Sequence, residues 1–136
     1  MNIDFQTFGK DFLPGLIGVE IESVEHGAAK GHLQIRPDHL APNGYLHAGT
    51  VVSLADTLAG YGCVGSLPEG ATSFTTVELK TNFTGTARNG RISAEASMVH
   101  GGRTTQLWDV SVYNETGKKI ALFRCTQFIL YPKQEQ

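Results

Sequence analysis

One aspartate stands where a charge is hardest to keep. Asp56 lies between Leu54-Ala55 and Leu58-Ala59, in the most apolar stretch of the chain. A carboxylate held there loses hydration, so folding disfavours its ionised form unless partners compensate. Two readings are open. Asp56 is a structural acid turned to a polar edge or bonded to backbone, or it is kept for chemistry as a general base or nucleophile. Just upstream, Asn43-Gly44-Tyr45-Leu46-His47-Ala48-Gly49 runs into the start of the same apolar stretch. The first amides of a helix have no internal acceptor and carry the positive end of its dipole. Small side chains at Ala48 and Gly49 would let a ligand oxygen approach those N–H groups. Such amides polarise a carbonyl, and a carboxylate can then attack its carbon or activate water against it. Asp56 follows His47 by nine residues, about two and a half helical turns, too far for one carbonyl to reach both ends in one chain. Antiparallel helices from two subunits would bring Asp56 of one to Ala48 of the other.

The elements that must hold these groups are legible in outline. A central helix is predicted over about 47–66, apolar nearly all round and rich in Gly and Ala, hence buried and closely packed. A short N-terminal helix over about 3–13 places Phe5, Phe8 and Phe12 on one face, and Pro14-Gly15 ends it. Alternation predicts strands over Leu16–Glu25 and Lys30–Ile35, joined at His26-Gly27, with a loop over Pro37–Gly44 and another over Leu67–Ala71. After the helix come strands over Ser73–Thr84, Gly90–His100, Arg103–Asn114 and Lys118–Leu130. The first of these sets Phe74, Thr76 and Glu78 on one face and Val77, Leu79 and Thr81 on the other. Short turns at Gly101-Gly102 and Asn114–Gly117 imply an antiparallel meander. A long buried helix and a twisted antiparallel sheet suggest an α+β, hot-dog layout in which the sheet wraps the helix. The expectation is one such domain over 1–136, since that length holds one core and shows no repeat or linker.

At these residues the chain resembles the PaaI-like hot-dog thioesterases. His47-Ala48-Gly49 with Leu54-Ala55-Asp56-Thr57 is similar to that family's His-Gly-Gly and Leu-Ala-Asp-Thr motif. Thr76–Phe83 resembles the strand after the family's helix, and Gly102-Arg103-Thr104-Thr105 and Ala121-Leu122-Phe123 its later strands. The resemblance spans roughly Leu16 to Leu130. It implies hydrolysis of acyl-CoA thioesters with Asp56 as the catalytic carboxylate and the Ala48 amide as oxyanion donor. His47 would shape the helix start, and Thr76 matches a hydroxyl that helps some relatives hold the attacking water. Asn43 answers to an Asn or Gln that relatives carry before the His, at a variable offset. The family's site spans a dimer interface, commonly within a tetramer, and needs no metal or redox cofactor. Ala48 departs from the family's Gly, which leaves the N–H in place provided φ is negative there.

Other candidates read more plainly. Gly102, Arg103 and Thr104 could bind a CoA phosphate or form a solvated turn. His26, His32, His39 and His100 lack metal-ligand spacing, which favours solvated or structural roles. Cys63 and Cys125 read as buried thiols in a reducing compartment, and Trp108 and Phe123 as core. A net charge of −2 without a basic cluster gives nothing to draw nucleic acid. No segment approaches the roughly 20 apolar residues of a membrane span, and the early residues do not read as a signal peptide, so the cytoplasm is expected. The competing functions are a non-catalytic acyl-CoA-binding or regulatory hot-dog protein, and a hot-dog hydratase or dehydratase, which builds its site from a differently placed His with an Asp or Glu.

Overall fold

The apolar stretch forms a single helix of 17 residues, Ala48–Val64. Its small residues serve close approach: a methyl at Gly62 would lie 2.6 Å from the Trp108 ring, and one at Gly60 would lie 3.1 Å from the Phe74 ring. The computed structural model describes residues 2–133. Met1 and residues 134–136, part of the expected 1–136 span, lie outside the described residues. In chain order the elements are α1 (Phe5–Phe8), α2 (Leu13–Ile17), β1 (Glu20–Glu25), β2 (Ala28–Gln34), a 3-10 turn (Pro37–His39), α3 (Ala48–Val64), β3 (Ser73–Phe83), β4 (Arg91–Gly101), β5 (Thr105–Tyr113) and β6 (Lys119–Leu130).

The six strands make one antiparallel sheet in the order β1-β2-β4-β5-β6-β3. α3 touches all six, so the sheet curls round it in the α+β hot-dog arrangement expected from the sequence. The core lies between them: Leu54, Leu58 and Ala59 of α3 meet Leu33, Ile92, Trp108, Val110, Phe123 and Cys125 of the sheet, all essentially without exposure. β1 and β3 are the two edges, and they differ. β1 carries Glu20, Glu22 and Glu25, whereas β3 exposes Val77, Leu79 and Phe83.

The N-terminal segment departs from the single helix expected over about 3–13. Asp4 caps α1 by accepting the Gln6 N–H, and α1 stops at Gly9. Pro14 then opens α2 rather than ending a helix, because its missing N–H costs nothing in a first turn. The two helices fold so tightly that a Cβ on Gly15 would lie 1.9 Å from the Lys10 carbonyl oxygen. As a result Phe5 and Phe8 pack on Tyr61, with ring centroids 5.3 and 5.6 Å from it, while Phe12 is left 71% exposed. The strand expected from Leu16 accordingly begins only at Glu20.

β3 holds a second difference. Thr76 pairs with Gln127 and Glu78 with Thr126, so Val77 is an extra residue with no partner on β6. A bulge of this kind exchanges the faces beyond it. Phe74, Thr76, Leu79 and Thr81 therefore share the face opposite Ile129, Gln127, Cys125 and Phe123, the side that looks at α3. Glu78 moves to the other face.

Candidate active site

The entry to α3 is built by side-chain capping. His47 is the N-cap, with φ −67° and ψ 135°, and its Nδ1 accepts the Gly49 N–H at 2.7 Å. A side chain on Gly49 would start 3.0 Å from that nitrogen, so any larger residue would press the imidazole away from the turn by a few tenths of an ångström. The Gly49 amide is thereby held by the His47 ring. The Ala48 N–H, in contrast, has no acceptor among the described residues, and Ala48 is exposed. Among the described residues no non-glycine residue has positive φ, so the condition on Ala48 is met. His39 anchors the loop behind this turn. It is buried, its Nδ1 accepts the Arg36 N–H at 2.9 Å, and its Nε2 bonds the Ile17 carbonyl at 2.8 Å. Asn43 stands apart: its Oδ1 accepts the Tyr45 N–H at 3.1 Å in an exposed turn.

Asp56 sits eight residues further along α3, about 12 Å from Ala48 at 1.5 Å per residue. Its side chain is half-buried, and Oδ1 is buried with no hydrogen-bond partner. Burial raises its pKa above the usual carboxylate value. Asp56 opens on a cavity of about 270 Å³ lined by Phe8, Leu13, Thr57, Gly60, Tyr61 and Phe74. The cavity is apolar apart from Asp56, Thr57 and the Tyr61 hydroxyl, and burial pushes Tyr61 up, keeping it protonated. Thr57 is not free, since its hydroxyl donates to the Ser53 carbonyl at 2.7 Å.

Thr76 is half-buried on β3, and its Oγ1 lies 2.6 Å from Gln127 Oε1, to which it donates. Gln127 has no exposed surface, and its Nε2 has no partner. The sequence reading missed Gln127. The signal was present, because alternation along β6 puts it in line with Phe123, Cys125 and Ile129, all buried.

Gly102, Arg103 and Thr104 lie elsewhere, at the β4–β5 turn. Gly102 and Arg103 line a separate cavity of about 350 Å³ with His26, Ser66 and Gln106, beyond the C-terminal end of α3. The Arg103 guanidinium stacks over Tyr131, 5.4 Å from the ring centre, and the Thr104 carbonyl accepts the Ile129 N–H. One chain thus carries three separate patches: the α3 start, Asp56 with its apolar cavity, and the β4–β5 turn. The thiols offer no nucleophile, because burial pushes Cys63 and Cys125 up to about 12. Among the described residues no group of three His, Cys, Asp or Glu could hold a metal ion, and no helix is long and apolar enough to cross a membrane.

The thioesterase superfamily model matches residues 43–121, from the turn before α3 through the start of β6. The chain belongs to the thioesterase superfamily. It is 36% identical over 110 residues to 1,4-dihydroxy-2-naphthoyl-CoA hydrolase of Listeria monocytogenes serotype 1/2a (strain 10403S), covering 81% of this chain and 89% of that protein. It is 29% identical over 109 residues to the acyl-coenzyme A thioesterase PaaI of Escherichia coli K12, covering 79% and 75%. A crystal structure of a mutant of thioesterase PA1618 from Pseudomonas aeruginosa superposes with a TM-score of 0.88 at 25% identity, over 94% of this chain and 92% of that one. The PaaI-like resemblance, the hot-dog fold and the assignment as a thioester hydrolase read from the sequence all hold.

Proposed function

We propose that this protein hydrolyses acyl-CoA thioesters with a compact aromatic acyl group, at a site shared by two subunits. The observation that carries this reading is Asp56: a half-buried carboxylate, one oxygen unpaired, on the wall of an apolar, aromatic-sided cavity. A pure acyl-CoA binder has no use for an acid that burial destabilises. The cavity lies just below the roughly 300–1,000 Å³ typical of small-molecule pockets, so it suits an acyl group and leaves CoA outside. The Listeria relative is named for a naphthoyl-CoA, which supports a ring system as the occupant.

In this mechanism the thioester carbonyl oxygen rests on the Ala48 N–H of one subunit, and the acyl ring lies beside Asp56 of the other. Asp56 takes a proton from water as the water oxygen bonds to the carbonyl carbon. Charge gathers on the carbonyl oxygen, where the amide and the positive end of α3 already point. Collapse breaks the C–S bond, and the leaving CoA thiolate takes the proton from Asp56. His47 acts indirectly, since by holding the Gly49 amide it fixes the turn that presents Ala48. Each chain contributes one hot-dog domain, dimers form the sites, and the exposed Leu122, Phe128 and Leu130 suit pairing of dimers into a tetramer. Arg103 and Thr104 remain the candidates for CoA phosphate, and the free buried cysteines suit the cytoplasm.

The test is thiol release from a panel of aromatic, short-chain and long-chain acyl-CoAs. Highest kcat/KM on the aromatic members is expected. Preference for long chains would overturn the acyl-group assignment, and no thiol release from any member would overturn the hydrolase reading of this site.

A further inference from the structure

Two glutamines face each other inside the sheet, Gln106 on β5 and Gln127 on β6, and both are buried. Gln106 is fully engaged. Its Nε2 donates to the Ser66 carbonyl at 2.9 Å, and its Oε1 accepts the Trp108 indole N–H at 2.7 Å. Gln127 is engaged on one side only, through the 2.6 Å bond from Thr76, and its Nε2 is left without an acceptor. Leaving a buried amide donor unpaired is costly, so a purely structural role would favour an apolar residue here.

Position along α3 sets the Thr76–Gln127 pair against the Asp56 site. Gly60 packs over Phe74, in the row that β3 shares with Ile129. One turn earlier, Asp56 lines the same cavity as Gly60 and Phe74, and its charge also helps push up the thiol of Cys125, which pairs with Leu79 two rows further along. The Thr76–Gln127 row lies between those two. Asp56 Oδ1 and Gln127 Nε2, a buried acceptor and a buried donor, are therefore both left unpaired on the same stretch of the α3–sheet boundary.

We infer that Gln127 is a positioning residue for the hydrolytic water: by accepting the Thr76 hydroxyl proton, it turns the lone pairs of Thr76 Oγ1 toward the water beside Asp56. The water then donates one hydrogen to Asp56 Oδ1 and the other to Thr76 Oγ1, which leaves its own lone pair for the carbonyl carbon. Thr76 serves as an acceptor, and the proton removed goes to Asp56. This assignment rests on the thioesterase reading of the Asp56 site.

Gln127→Met, Thr76→Val and the double variant test it with the aromatic acyl-CoA that wild type hydrolyses. Each single change is expected to lower kcat by about ten- to a hundredfold with KM little changed, since only the attack geometry is lost. The double variant is expected to be no slower than Thr76→Val, because both changes remove the same acceptor. Gln127→Glu keeps an oxygen for the Thr76 proton while adding a second carboxyl near Asp56. It is expected to keep more activity than Gln127→Met and to move the acid limb of the kcat profile to higher pH. That limb also tests the idea if Gln127→Met does not fold. Wild-type turnover with unchanged kcat in Gln127→Met, additive losses in the double variant, or an unmoved acid limb in Gln127→Glu would overturn the positioning role alone. Absence of wild-type turnover on every acyl-CoA would overturn it together with the reading it rests on.

Discussion

In the proposed mechanism Asp56 carries the chemistry, and its surroundings set the sign of its pH dependence. Burial raises its folded pKa above the 3.8 of a free aspartate. Its contribution to stability is therefore favourable below about pH 4, where it is protonated, and is lost as pH rises through the folded pKa. Asp56→Asn should then raise the melting temperature at pH 7–8, with the gain shrinking toward zero near pH 3.5. On the same preparation, turnover should fall by about a hundredfold or more, as for loss of a positioned base. A structural acid would give the reverse, a destabilised variant with normal turnover in its soluble fraction. For wild type, the acid limb of kcat/KM should lie above pH 3.8, because the proposed mechanism needs the ionised form. The residue was legible because a charge in an apolar run stands out. What the sequence did not show is which amides and side chains the local caps engage. Asn43 closes its own turn, and the His47 ring claims the Gly49 N–H.

At the scale of elements, the start of α3 offers an unusually clean probe. Ala48 is the first helical residue, and His47 before it has the extended backbone that a following proline prefers. Proline at that position is favourable to a helix, so Ala48→Pro should keep the fold and its melting temperature while deleting the N–H. Turnover should drop by about a hundred- to a thousandfold, the scale of losing an oxyanion donor, and a folded variant with normal kcat would place the donor elsewhere. Elements with a long, unbroken pattern were legible: α3 from its small apolar residues, β4 to β6 from alternation. The failures came where one residue has two local meanings. Pro14 ends a helix or opens one, and the tight turn at Gly15 decided for opening. Val77 fits β3's alternation in sequence, yet the pairing with β6 passes over it and exchanges the faces beyond. That exchange is why Leu79, not Glu78, shares a face with Thr76.

At the scale of the whole molecule, the proposed site calls for two chains. Along α3, Ala48 and Asp56 are about 12 Å apart, and β3 is a long edge with apolar side chains open at Val77, Leu79 and Phe83. Such an edge invites pairing with another strand, and the acidic β1 does not. In the proposed two-fold dimer joined along β3, every contact would occur twice, giving two equal sites, each with Asp56 from one chain and Ala48 from the other. Leu79→Lys should therefore yield a monomer by light scattering with turnover lost. The sharper consequence is complementation between two dead variants. Asp56→Asn retains a good Ala48 amide, and Ala48→Pro retains a good Asp56. When they are mixed in equal amounts and allowed to exchange subunits, half of the dimers are mixed, and each mixed dimer has one site with both working groups. Activity should rise from near nothing to about a quarter of wild type per chain. A site contained within one chain predicts no recovery at all, so a mixture that exchanges subunits by native mass spectrometry yet stays at the parental rates would sink the shared-site model.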